Sequence, residues 1–175
     1  MKKNLLAVAI LTASAFTTSA FAADGALNIT GTITDQSCTV DADSKNKQVA
    51  LGKIAKEAFT LSKTAGAKAF NLVLQDCDLS LGKTVKVTFT GAESAALPGL
   101  LLPDGGSPLG IALGIETMAG SPVALNKPSQ GYALANGSNS LQLQVYIQGE
   151  PAAIAQKSIG LGVFSSVATF ALEYE

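Results

Sequence analysis

Two cysteines and no histidine limit the chemistry that this 175-residue chain can carry. Without histidine, Ser-His-Asp and Cys-His catalysis and histidine-bound metal centres are excluded. Cys38 and Cys77 lack the close Cys-x-x-Cys spacing of a redox pair. Asp76 and Asp78 flank Cys77, but we expect solvated turn residues there rather than an acid–base pair. The sequence therefore predicts no enzyme activity, no cofactor and no metal site.

The first 22 residues have the organisation of an export signal. Lys2 and Lys3 precede an apolar stretch over residues 5–16, and residues 20–22 read Ala-Phe-Ala, the small-x-small pattern of a signal peptidase site. The alternative is a membrane anchor, but the apolar stretch is too short to span a bilayer. We therefore predict a signal peptide over residues 1–22 and cleavage before Ala23.

Export bears on the two cysteines, because an exported protein enters an oxidising compartment. We expect Cys38 and Cys77 to form a disulfide, which should contribute about 4 kcal/mol to stability.

Hydrophobic residues make up 47% of the chain, charged residues 14%, and the formal net charge is −1. This composition predicts a globular protein and argues against nucleic-acid binding.

Apolar residues alternate with small or polar ones in seven short segments, which is the pattern of half-buried strands. The segments are Leu27–Ile33, Val49–Leu51, Phe70–Leu74, Val85–Phe89, Ile111–Ile115, Leu141–Ile147 and Ala168–Tyr174. Turn-forming residues separate them, and a short helix is plausible only over residues 54–63. The pattern predicts an all-β chain with one antiparallel β-sandwich domain.

The first and last of these segments have none of the lysines or prolines that protect strand edges in natural sheets. Two interpretations remain open from the pattern alone. The terminal segments could pair with each other inside a complete sandwich, or the chain could be built to pair with a strand from another molecule.

Four features in fixed order carry a family resemblance. Gly31 stands seven residues before Cys38 in Gly-Thr-Ile-Thr-Asp-Gln-Ser-Cys, and residues 70–77 read Phe-Asn-Leu-Val-Leu-Gln-Asp-Cys. Residues 134–139 read Leu-Ala-Asn-Gly-Ser-Asn, Gly162 is fourteenth from the C-terminus, and a tyrosine is next to last. The mature chain resembles, over its whole length, the pilin subunits of the chaperone–usher family.

The resemblance implies an incomplete immunoglobulin-like sandwich over residues 31–175, which lacks its last strand and is completed by a donor strand from a chaperone or from the next subunit. Residues 23–30 would be the N-terminal donor extension, with Leu27 and Ile29 filling the groove and Gly25 at a position that needs a small residue. The acceptor groove and the chaperone contact would involve Gly162, Phe170, Leu172 and Tyr174.

The resemblance further implies a structural pilin that polymerises by donor-strand exchange into a surface fimbria used in adhesion. Its partners would be a periplasmic chaperone, an outer-membrane usher and other pilin subunits. The alternative is a minor or adhesive one-domain pilin that binds a host receptor through loops such as 97–108 or 119–130. A monomeric secreted β-sandwich enzyme or ligand-binding domain is a third, less favoured interpretation.

Overall fold

The computed structural model describes residues 37–104 and 109–175. This part of the chain contains seven β-strands and three short helices, joined by turns and loops. The strands are β1 (Thr39–Val40), β2 (Thr64–Cys77), β3 (Thr84–Gly91), β4 (Ile111–Thr117), β5 (Tyr132–Ala133), β6 (Gly137–Gly149) and β7 (Ala168–Tyr174). The helices are α1 (Ala42–Lys45), α2 (Ala58–Leu61) and α3 (Pro151–Ala155). The predicted signal peptide and donor extension, with Gly25, Leu27 and Ile29, lie outside the described residues. Within the described ranges, no helix is long and apolar enough to cross a membrane.

The strands form two antiparallel sheets that share one core. One sheet has the order β1-β2-β6-β4 and the other has the order β5-β3-β7. The long β2–β6 ladder runs from Thr64 opposite Gln148 to Cys77 opposite Gly137. Buried residues from both sheets, such as Leu143 and Val87, belong to one hydrophobic cluster. The chain therefore forms a sandwich, because each sheet buries its apolar face against the other.

Alternation explains why the central strands form where they do. On β3, Val85, Val87 and Phe89 point into the core, while Lys86 and Thr88 lie on the other face. Burying one such apolar side chain contributes about 1.5–3 kcal/mol, so a one-residue slip that exposed the whole row would be very unfavourable.

A row of three phenylalanine rings links the two sheets. The Phe89 ring on β3 lies 6.4 Å from Phe70 on β2, edge to face, and 6.3 Å from Phe170 on β7. Phe89 is buried, whereas Phe70 and Phe170 are only partly buried. The row therefore runs from one sheet to the other, and both of its ends remain accessible.

Two differences separate the strands from the expected pattern. β2 begins at Thr64, well before the alternation that starts at Phe70. The prediction of a strand over Val49–Leu51 is wrong, because residues 46–55 form no ladder pair and lie outside any strand or helix. The helix expected within residues 54–63 is present as α2.

Candidate functional site: the open edge of the last strand

Within residues 37–104 and 109–175, β7 is hydrogen-bonded along one edge only. It pairs with β3 over its full length, from Ala168 opposite Gly91 to Tyr174 opposite Val85. No other strand in the described part of the chain pairs with β7, so the N–H and C=O groups of its second edge have no strand partner among those residues. The sequence of β7, Ala-Thr-Phe-Ala-Leu-Glu-Tyr, contains no proline or lysine. This edge is therefore able to accept another strand.

The other edge of the same sheet is closed. Asn126 donates its N–H to the Phe89 carbonyl at 2.7 Å, and Ser129 donates to the Val87 carbonyl at 2.9 Å. Pro128 lies opposite β3 between these two bonds, and a proline has no N–H to offer an incoming strand. Protection on one side of β3 and a bare edge beyond β7 on the other side make the sheet strongly asymmetric.

The core-facing side chains of β7 are only partly covered. Phe170, Leu172 and Tyr174 all point inward, and all three are half-buried. Their direct partners on β3 behave differently, since Phe89 is 4% exposed and both Val87 and Val85 are 0% exposed. Buried partners beside half-buried ones show that the core is covered on the β3 side and open on the β7 side.

A cleft lies beside β2 in the first sheet. Residues 47–50 run alongside residues 68–71 without ladder pairs and leave a cleft of about 410 Å³. The cleft reaches Phe70, whose ring contacts Phe89. A half-buried phenylalanine ring therefore lies in each sheet, Phe70 in one and Phe170 in the other, with the buried Phe89 ring between them.

The far end of β7 is anchored beside the disulfide. Cys38 and Cys77 are bonded, as expected from the sequence, and both are buried. The Tyr174 hydroxyl lies 3.5 Å from the Cys38 carbonyl oxygen, and burial raises the pKa of this tyrosine above 10.0. The Glu175 carbonyl accepts hydrogen bonds from the N–H groups of Lys83 at 2.7 Å and Thr84 at 2.9 Å. The C-terminus is therefore held by backbone bonds.

The fimbrial protein family model matches residues 27–175. This chain belongs to the fimbrial protein family. The major MR/P fimbria protein of Proteus mirabilis is 33% identical to this fimbrial chain over 179 residues, with both chains covered completely. The family is one of structural, non-enzymatic proteins.

Solved structures share the fold of this fimbrial chain. The P pilus rod subunit PapA matches with a TM-score of 0.69 and 23% identity, over 80% of this chain and 100% of that chain. A chaperone–usher pilus structure that addresses rod uncoiling also matches with a TM-score of 0.69 and 23% identity, over 86% of this chain and 95% of that chain. These matches confirm the predicted fold, an immunoglobulin-like pilin sandwich without its last strand.

Two predicted positions of the fimbrial chain lie away from the open edge. Gly162 precedes β7 and is exposed, and an added Cβ would lie 3.4 Å from Leu109, so its role in a groove stays a prediction. Asp78 accepts a hydrogen bond from the Ser80 N–H at 2.8 Å, which lowers the pKa of this carboxyl. That geometry is an ordinary turn, as expected for Asp78, whereas Asp76 lies within β2 and not in a turn.

Sequence reasoning missed the residues that form the floor of the opening. Val85, Val87 and Phe89 were recognised as strand residues, but nothing in their alternation distinguishes a groove floor from a closed core. The partial exposure of their partners on β7 provides that distinction, and it depends on which strands lie side by side.

Proposed function

We propose that this fimbrial chain is the main structural subunit of a surface fimbria and that it polymerises by strand donation. Residues 23–30 of one copy add to the free edge of β7 in the next copy, and Leu27 and Ile29 enter the opening between the sheets. The observation that carries the proposal is the half-buried row of Phe170, Leu172 and Tyr174, set against the buried row on β3.

The lengths of donor and acceptor agree. β7 has seven residues and the proposed donor has eight, so at about 3.3 Å per residue one would cover the other from end to end. Each apolar side chain that is buried on insertion contributes about 1.5–3 kcal/mol, and each backbone hydrogen bond about 0.5–1.5 kcal/mol. A short strand can therefore hold two subunits firmly without any covalent bond or nucleotide.

The open edge of β7 also explains why the proposed assembly needs a chaperone and an usher. A free edge lined with apolar side chains is an aggregation hazard, so a periplasmic chaperone must cover it until the next subunit arrives. Donor and acceptor are different surfaces of one molecule, so the contact repeats head to tail into an open filament. An outer-membrane usher would be the place where the exchange occurs and from which the fimbria grows on the cell surface.

The loops considered for direct receptor binding favour the structural role in their described parts. Leu97 and Leu101 of the first loop are buried, and so are Val123 and Leu125 of the second. Their backbones pair with each other and with β4, for example from the Val123 N–H to the Ile115 carbonyl oxygen at 2.8 Å. Both loops therefore use their apolar residues to cover β4, which leaves the shaft role as the preferred one.

The decisive variant replaces both proposed donor side chains, Leu27→Asp with Ile29→Asp. The chain should still fold on its chaperone, because the extension can then stay in water. Fibres should be lost, because each carboxylate would have to enter an apolar groove without a partner. Asn28→Asp is the matched control, since it adds a charge on the other face of the same strand and should leave fibres intact.

Soluble chaperone complex and surface fibres are measured from the same cells, by co-purification and by electron microscopy. Loss of both in the double variant would mean that Leu27 and Ile29 belong to the core of their own subunit, and it would overturn the proposal.

A further inference from the structure

An exposed apolar patch lies just before β7. Four large apolar side chains are well exposed there: Leu102 (44%), Val167 (73%), Leu161 (78%) and Val163 (92%). Asp104 and Ser165 exchange backbone hydrogen bonds of 2.6 and 3.2 Å, as an antiparallel pair does. This register places Leu102 opposite Val167, and Val163 follows on the same face two residues from Ser165. We call the three residues that this register places on one face, Leu102, Val163 and Val167, the apolar patch.

Another exposed leucine lies at the opposite end of β7. Leu81 is 53% exposed in the turn between β2 and β3. The next residue, Gly82, packs against Ser37 and Tyr174, since an added Cβ would lie 2.7 Å from Ser37 Oγ and 3.3 Å from Tyr174 Cβ. The turn therefore lies at the Tyr174 end of β7, whereas the apolar patch lies at the Ala168 end, about 20 Å away by strand length.

The position of Ser37 fixes where the proposed donor extension is attached. Ser37 is the first described residue and lies against Gly82, the residue after Leu81, at the Tyr174 end of β7. From residue 30 to Ser37 the chain can span at most about 25 Å. When the donor strand of one copy is inserted into a neighbour, the domain of the donor copy must therefore follow it. The Ser37 end of that domain must lie close to the position that residue 30 occupies on the neighbour.

Strand direction decides which surfaces then meet. Every strand pair in the described ranges is antiparallel, and an antiparallel insertion puts residue 30 of the donor at the Ala168 end of β7 in the acceptor. A parallel insertion would bring two Tyr174 ends together, where each copy must also extend its own donor strand. The antiparallel direction avoids this crowding and turns the Leu81 end of the donor copy towards the apolar patch of the acceptor.

We infer that a second contact joins successive copies, in which the Leu81 turn of one copy packs on the apolar patch of the next. The inference rests on the proposed function. Charges agree with it, because exposed Lys83 follows Leu81 by two residues and exposed Asp104 follows Leu102 by two residues. The contact would bury apolar surface that is otherwise left in water and would stiffen the joint between two subunits.

Cross-linking tests this contact in assembled fibres. Both native cysteines form the disulfide, so introduced cysteines are the only free thiols. Fibres of a chain with Leu81→Cys and Val163→Cys are treated with a short bismaleimide and then dissociated in denaturant. The two thiols lie at opposite ends of one subunit, so links must form between subunits, and the expected result is a ladder of covalent multimers.

The matched control pairs Leu81→Cys with Met118→Cys. Met118 is 51% exposed, close to the value for Leu81, but it follows β4 in the other sheet. Fibres in which Leu81→Cys with Val163→Cys gives no more multimers than this control would overturn the inferred contact. A wild-type chain that makes no fibres at all would instead overturn strand donation, so the two failures are distinguishable.

Introducing a pair of opposite charges at the contact provides a second measurement that does not depend on cysteine. Leu81→Asp should lower the temperature at which fibres dissociate, and adding Val163→Lys should restore it towards the wild-type value. Equal dissociation temperatures for the wild-type and Leu81→Asp fibres would overturn the contact, as would the absence of any recovery in the double variant.

Discussion

Phe170 and its partner Phe89 provide a direct comparison between the open and closed sides of the core. Phe89→Ala removes a buried ring and should destabilise the subunit by about 3–5 kcal/mol. Phe170 is half-buried, so Phe170→Ala should cost the subunit without a donor strand about half as much, roughly 1.5–2.5 kcal/mol. The remainder should be lost only when a strand covers the ring.

That remainder determines how strand binding should change. Once a donor strand fills the groove, Phe170 becomes a fully buried ring, and removing it costs the full amount. The difference of about 1.5–2.5 kcal/mol must then appear as weaker strand binding, about 12- to 60-fold at about 1.4 kcal/mol per tenfold change.

Both quantities can be measured on a subunit that lacks residues 23–30. Urea unfolding gives the loss of stability, and calorimetry with a synthetic peptide of residues 23–30 gives the affinity. Thr169→Ala, on the outward face of β7, is the control and should change stability by no more than about 0.5 kcal/mol. A closed core would give a different result. Phe170→Ala would then cost the full amount of about 3–5 kcal/mol without the peptide and would leave the peptide affinity unchanged. That result would show that the groove assignment is wrong.

Three further results are expected. Replacing Cys38 and Cys77 by serine should remove about 4 kcal/mol and sharply reduce periplasmic accumulation on immunoblots, and unchanged accumulation would contradict a structural disulfide. Tyr174→Ser should reduce recovery of the chaperone complex while Tyr174→Phe preserves it, because the ring and not the long hydroxyl contact fills space; equal recovery of both would refute this. Burial raises the pKa values of Tyr132, Tyr146 and Tyr174, so their stabilising contribution is complete below about pH 10 and is lost as the pH rises through the folded-state values. Unfolding temperatures should therefore be nearly constant from about pH 6 to 9, where histidine would titrate but none is present, and a marked change within that window would contradict this.

The strands were predictable where apolar residues alternate on a half-buried surface. The alternation over Ala168–Tyr174 coincides with β7, and those over Val85–Phe89 and Ile111–Ile115 lie within β3 and β4. β2 extends further than its pattern because its first half, Thr-Ala-Gly-Ala-Lys-Ala, consists mostly of small residues and is held by the ladder with β6. Val49–Leu51 alternates but forms no strand, because it lies at the cleft without a ladder partner.

The site was predictable only in part, for a physical reason. Alternation tells which side chains of β7 point inward, but burial depends on whether another strand covers them, and that is a property of the assembled sheets. The same limit applies to Leu81 and Val163, because the sequence does not show whether these apolar side chains are covered, and both are exposed in the fold. Whether Leu81 and Val163 can contact each other in neighbouring copies depends on their positions at opposite ends of β7. The register of β7 with β3 defines those ends.

The central claim is that the missing strand of each subunit comes from its neighbour. Cryo-electron microscopy of assembled fibres tests it most directly. The account predicts an additional strand along the free edge of β7, formed by residues 23–30 of the adjacent copy and running antiparallel to Ala168–Tyr174. A fibre in which residues 23–30 fill the groove of their own subunit, or in which the edge of β7 stays bare, would contradict it.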